Sequence, residues 1–161
     1  MAADALEAPP TSILIRVGPE DFDAGLEYQG LRQRAPGHGA LVLFTGLVRD
    51  QSPRGALQGM RLEHYPAMTG KCLQRIAEQA AGRWQLAAVT IIHRVGELAG
   101  DDQIVLVGVA AHHRQGAFDG AQFIMDYLKT EAPFWKQEIG VDGDAHWVEA
   151  KASDQQARER W

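Results

Sequence analysis

The sequence predicts an α+β fold with mostly antiparallel strand pairing. Three observations lead there. Strand-like runs come in neighbouring pairs: Ala40–Val48 with Met60–Tyr65, Val89–Val95 with Gln103–Ala111, and Phe134–Ile139 with His146–Ala150. Amphipathic stretches of helical period separate the pairs. The linker GVDGDA, between the last two runs, is rich in turn residues and reads as the tip of a β-hairpin. The resulting order, βα–ββ–α–ββ–α–ββ–α, places hairpins between helices and lacks the strict alternation of a doubly wound sheet.

The elements follow in chain order. Residues 1–10 (MAADALEAPP) have neither a basic region nor an apolar one and read as a disordered leader, not a secretory signal. Residues 11–161 read as one domain, which suits the length of the chain. Ser12–Val17 is short and β-branched, a strand. Pro19–Tyr28 opens on Gly-Pro and acidic residues, as helix starts do. Ala40–Val48 is almost continuously apolar and reads as a strand buried on both faces. Arg49–Gly59, polar with Pro and Gly, reads as a flexible loop. Met68–Trp84 is the clearest helix, with Leu73, Ile76, Ala77, Ala80 and Trp84 on one stripe. Gly96–Asp102 reads as a turn and Gln103–Ala111 as another buried strand. A second amphipathic helix runs from about Gly116 to Lys129, with Ala117, Ala121, Ile124, Met125 and Leu128 inward, and Pro133 stops it. Ser153–Trp161 reads as a short helix capped by Ser153.

Composition narrows the function. A net charge of −5 counts against nonspecific nucleic-acid binding, which needs a basic surface, but leaves room for a local anion pocket. The single cysteine, Cys72, excludes an intramolecular disulfide and a site built on several thiolates. Beside a core stripe, its expected role is packing. No apolar run approaches the ~20 residues of a membrane span, and a cytoplasmic location is expected. The sequence has no GxGxxG, no GxxxxGK[ST], no GxSxG and no HExxH.

Cationic side chains fall where elements end. Arg49 follows an apolar strand. His113 and Arg114 stand between a buried strand and a helix start, where free backbone N–H groups favour phosphate or carboxylate. Lys129 ends that helix. Lys136 lies beyond Pro133 and the aromatic pair Phe134 and Trp135. Arginine offers a planar fork to a phosphate, and lysine a point charge or a nucleophilic amine. Read singly, each of these residues is more often a solvated surface charge than a ligand contact. By themselves they describe an α+β domain with a candidate anion site.

Longer strings say more. FTGLVRD, LEHYPAMTGK, IIHRVGEL, VGVAAHHRQGAF, FIMDYLKTEAPFWKQE and HWVEAKASDQQARERW run in order from about Ile13 to Trp161. Together they resemble the molybdopterin synthase catalytic (large) subunit family. The resemblance implies an α/β-hammerhead with a mostly antiparallel sheet and an added antiparallel β subdomain. It implies a sulfurtransferase that converts cyclic pyranopterin monophosphate (precursor Z) to molybdopterin, in molybdenum cofactor biosynthesis. The sulfur would come from the C-terminal Gly-Gly thiocarboxylate of a small ubiquitin-like partner subunit. The large subunit would form a homodimer, and a heterotetramer with two small subunits. No cofactor and no metal is implied for this step.

Carried over by motif, the catalytic residues are Lys129 and Lys136. Substrate binding falls to Arg49, His113, Arg114, Lys129, Lys136, Gln137 and Glu138. One departure is Leu47, where relatives often carry lysine. Lys129 is the expected acid/base or covalent group, through a pKa lowered by desolvation among cations, and Lys136 the expected stabiliser of anionic intermediates. Two rival readings stand beside this one: a non-catalytic scaffold for the ubiquitin-like sulfur carrier, and a different anion-binding enzyme on the same fold.

Overall fold

A computed structural model describes residues 9–149 and 151–161. The expected leader therefore lies outside the described residues, apart from Pro9 and Pro10, which are exposed. The chain runs β1 (Ser12–Gly18), α1 (Ala24–Arg34), β2 (Ala40–Leu47), β3 (Gln51–Ser52), β4 (Gly55–His64), α2 (Pro66–Trp84), β5 (Ala88–Arg94), β6 (Gly96–Ala99), β7 (Gln103–Ala111), α3 (Arg114–Thr130), β8 (Phe134–Gly140), β9 (Ala145–Val148) and α4 (Ala152–Glu159).

The strands form two sheets. The first has the order β1-β5-β7-β2, with β1 and β5 parallel and the other pairs antiparallel. The second has the order β3-β4-β8-β9, with β6 also paired to β4, and is antiparallel throughout. The α+β expectation with an added antiparallel subdomain holds.

Alternation along β5 and β7 places the core. Val89 and Ile91, with Val105, Val107 and Val109, point to one face, where Leu73, Ile76 and Ala80 of α2 and Ala117, Ile124 and Leu128 of α3 close over them. Ala88 and Ala110 point the other way, against Leu31 and Ala35 at the α1 end. Ile92 and Leu106 do the same against Phe22. The sheet is thus sandwiched between α1 and the pair α2 and α3. Each fully buried Leu, Ile or Val contributes roughly 1.5–3 kcal/mol. Gly108 lets α1 approach: a Cβ there would sit 2.9 Å from Leu43 and 3.1 Å from Leu31. The polar Thr90 is buried because Arg34 of α1 donates to its Oγ1 at 2.6 Å and to the Val89 and Ser12 carbonyls.

Several sequence expectations need correction. The first helix begins at Ala24, not Pro19, because Asp23 accepts from Leu26 N at 3.1 Å and caps it, and Phe22 is needed in the core. It then runs on to Arg34. Ala40–Val48 is not buried on both faces: β2 is an edge strand, with Phe44 41% and Leu47 50% exposed. The expected loop Arg49–Gly59 holds the hairpin β3–β4, drawn into a sheet by pairing of Leu57 and Gly59 with β8. The expected turn Gly96–Asp102 begins with β6, which pairs with Gly59–Leu62 of β4. Ser153 lies inside α4; Lys151 takes the cap position and makes no side-chain cap bond. Ala150, the expected end of the last strand, lies outside the described residues.

Candidate active site

The second sheet carries the site. Residues directly across an antiparallel pair share a face. Lys136 on β8 lies across from Leu62 on β4 and Val148 on β9. Glu138 lies across from Met60 and His146, and Phe134 across from His64. The face bearing Lys136 is therefore the one where Met60 and Leu62 pack with Val48 and Leu98. Lys136 roots in this apolar floor and is half-buried.

Burial holds the Lys136 amine below the usual lysine pKa, and Lys129 pushes it further down. Glu138 opposes this, while Lys151 and Arg49 add to it. Three further cations thus lie within electrostatic reach of Lys136 in a chain of net charge −5. Unlike charges in such a cluster are supplied by a ligand, so the arrangement fits an anion. Lys129, Arg49 and Lys151 are exposed and free to turn toward one.

Lys136 and Lys129 come together because α3 ends at Thr130 and β8 begins only a few residues later at Phe134. Pro133 cannot continue the helix and sets the turn. The desolvated amine is Lys136, whereas the sequence reading assigned that property to Lys129.

Other expected members are not brought in. Gln137 lies across from Arg61 and Trp147, on the opposite face of the sheet from Lys136. His113 and Arg114 are exposed at the start of α3. Fifteen residues of helix separate Arg114 from Lys129, roughly 22 Å at ~1.5 Å per residue. One chain cannot place both on the same phosphate. Cys72 is buried, its thiol pushed up by that burial, and packs as expected.

Two features escaped the sequence reading. Lys151 reaches the cluster from the cap of α4. His93 stacks on Phe134, with ring centroids 3.8 Å apart and planes 14° apart. A signal for His93 was present: in IIHRV the period-2 alternation puts it on the same face as Val89 and Ile91, an unusual place for a titratable group. No group of three or more His, Cys, Asp or Glu suited to a metal ion occurs among the described residues. A hollow of about 370 Å³ between β1 and the loop at Glu20–Phe22 contains none of Lys129, Lys136, Lys151 and Arg49. The chemistry follows the lysines, not the volume.

Residues 17–131 match the family model described as MoaE protein. The chain belongs to the MoaE family. The matched stretch holds Arg49, His113, Arg114 and Lys129 and ends just before the Lys136 strand. The molybdopterin synthase catalytic subunit of Escherichia coli K12 is 53% identical over 147 residues, covering 91% of this chain and 97% of that protein. A solved structure, the molybdopterin biosynthesis MoaE protein of Burkholderia ambifaria, superposes with a TM-score of 0.79 at 49% identity, over 92% of this chain and 97% of that one. The fold is shared further afield by a complex of subunits 1 and 2 of the molybdopterin-converting factor from Helicobacter pylori. There the TM-score is 0.65 at 20% identity, over 87% of this chain and 90% of that one. In this MoaE chain no helix among the described residues is long and apolar enough to cross a membrane.

Proposed function

We propose that the Lys129–Lys136 hollow performs sulfur transfer as the catalytic site of a molybdopterin synthase. The observation that carries this is a half-buried lysine ringed by Lys129, Lys151 and Arg49 in an acidic protein of the MoaE family. The substrate is precursor Z, whose phosphate and pterin suit a cationic hollow. The sulfur donor is the thiocarboxylate tail of a small ubiquitin-like subunit. The Helicobacter pylori complex supports a two-subunit assembly of this kind. The tail enters extended, held by backbone hydrogen bonds, and the reaction takes place in the cytoplasm.

The chemistry runs in two stages per sulfur. The thiocarboxylate sulfur bonds to a substrate carbon as a carbon–oxygen bond at that carbon breaks, the oxygen leaving protonated. Water then attacks the tail's carbonyl carbon and the carbon–sulfur bond to the tail breaks. The tail leaves as a carboxylate and the sulfur stays on the substrate. Lys136, with its lowered pKa, takes the proton from water. The Lys129 ammonium stabilises the oxyanion that forms at the carbonyl. A second loaded tail repeats the sequence to complete the dithiolene. Arg49 holds the substrate phosphate, and Glu138 keeps Lys136 from leaving the cluster. His113 and Arg114, at the far end of α3 from Lys129, then serve the neighbouring site of a homodimer, each site taking them from the second copy.

The test is conversion of precursor Z by the purified protein with thiocarboxylated small subunit. Wild type yields molybdopterin; Lys129→Ala and Lys136→Ala lose it while still binding the partner. A folded, partner-bound wild type that makes no product would instead establish the scaffold reading.

A further inference from the structure

His93 has no part in the scheme above, yet it stacks on Phe134 at the start of the Lys136 strand and feels the Lys129 charge. Its Nδ1 lies 2.8 Å from the Arg94 carbonyl oxygen. A carbonyl only accepts, so Nδ1 carries the proton and Nε2 keeps its lone pair. One ring face is covered by Phe134, which opens β8 two residues before Lys136 and five after Lys129. Orientation is thereby set by a hydrogen bond and a stack together. Nε2 bonds no described residue, and no buried side-chain nitrogen or oxygen among the described residues lacks a partner. Nε2 is therefore not sealed in the core and stays open to a donor.

The groups that face His93 are Lys129 from α3, His64 from β4 and the apolar Phe134 from β8. His64 is itself tied down, its Nδ1 3.1 Å from Thr69 Oγ1. Thr69 in turn donates to the Tyr65 carbonyl, 2.8 Å away. Lys129 is then the exposed cation within electrostatic reach of the open nitrogen. Burial, opposed by the Arg94 contact and aided by the Lys129 and His64 charges, lowers the His93 pKa to about 4, so the ring stays neutral around pH 7.

We propose that His93 is a positioning residue: its Nε2 lone pair accepts a hydrogen bond from the Lys129 ammonium and holds that charge over the reacting carbonyl. This rests on the sulfur-transfer reading for its consequence, but not for the contact itself. Lys129 is exposed, and an acceptor beside it fixes a cation that solvent alone would leave free. Preorganised charge is what stabilises a developing oxyanion.

Two measurements test it. The first is ¹⁵N NMR of histidine-labelled protein, which needs no turnover. His93 is expected as the neutral Nδ1–H tautomer with a midpoint near 4, and Lys129→Ala, by removing a cation, shifts the midpoint upward. An Nε2–H tautomer, or a midpoint unmoved by Lys129→Ala, overturns the contact. The second is turnover of His93→Phe, which keeps an aromatic ring for the stack on Phe134 and loses the acceptor. At unchanged partner binding and thermal stability, its kcat falls about tenfold with little change in KM. If His93 only packs, His93→Phe retains wild-type kcat, and the positioning role is wrong. Absence of turnover in wild type would strike the proposed function and leave the NMR result to decide the contact.

Discussion

In the first sheet, β5 and β7 send side chains into helices on both faces; in the second, β4 buries Met60 and Leu62 on one face while β8 and β9 are at most half-buried. The consequence shows at single residues. Val107 and Val109 are fully buried, as are the alternating Leu106 and Ala110. On β8, Lys136 is half-buried while its neighbour Trp135 is 50% exposed, and Trp147 on β9 is 55% exposed. A sheet enclosed on both sides has no room for charge without a partner, and Arg34, which reaches Thr90 there, makes four hydrogen bonds. A sheet with one wet face can hold an ammonium at the boundary, partly desolvated and still reachable. Stability and chemistry are thus assigned to different sheets, and the turn between α3 and β8 joins them.

That division can be broken or sharpened by substitution. Lys136→Ala should have the largest effect: about a thousandfold loss of turnover, ~4 kcal/mol of transition-state stabilisation, with the partner complex intact by gel filtration. Ile124→Ala, in the enclosed core, should cost ~3 kcal/mol in denaturant unfolding while leaving the turnover of the folded fraction close to wild type. Equal damage to activity by Ile124→Ala would show that the two regions are not separable.

Trp161→Ala comes next. Its indole donates to the buried Asp126 at 2.6 Å and packs edge-on against Trp84, so its loss strips a buried carboxylate of a donor. The expected cost is about 2 kcal/mol, measured by urea unfolding. The pH dependence follows from Lys136. A lysine depressed in the folded state destabilises the fold below its folded pKa, and the penalty fades as pH rises through that value toward the unfolded one. Lys136→Met should therefore raise Tm at neutral pH and flatten the alkaline rise in stability. In the same direction, Lys129→Ala removes a neighbouring cation, so the basic form of Lys136 appears at higher pH. An NMR titration of the Lys136 side chain in wild type and in Lys129→Ala would read the shift without turnover. The smallest effect belongs to Arg158→Ala: its ion pair with Glu131 at 3.1 Å is solvent-exposed, and the expected loss is under ~0.5 kcal/mol.

Much of this was legible before the structure. Period-3.6 stripes located α2 and α3 because their apolar faces meet one continuous core, and local pattern and burial agree there. The β8–β9 hairpin was readable from GVDGDA, since turn chemistry is local. The β3–β4 hairpin was not: Gln51–Gly59 is polar and becomes strand only through β8, far away in sequence. Ala40–Val48 misled for the opposite reason. Its apolar run is genuine, but strand order leaves it at an edge, with Phe44 and Leu47 turned outward.

For the site, residue identity was set by the chain. Lys129, Lys136, Arg49 and Glu138 were named from strings that only a MoaE-type protein carries, and the charged chemistry of those side chains needs no fold to be stated. Which amine loses solvent, which residues face away and which neighbours join were decided in three dimensions. Lys136, not Lys129, is desolvated because strand register sets it above Met60 and Leu62. Gln137 turns away because strands alternate. His93 and Lys151 enter because β5 and α4 pack beside the α3–β8 turn. Side-chain type is encoded one residue at a time; desolvation and proximity are sums over neighbours distant in sequence, and folding is what brings those neighbours together.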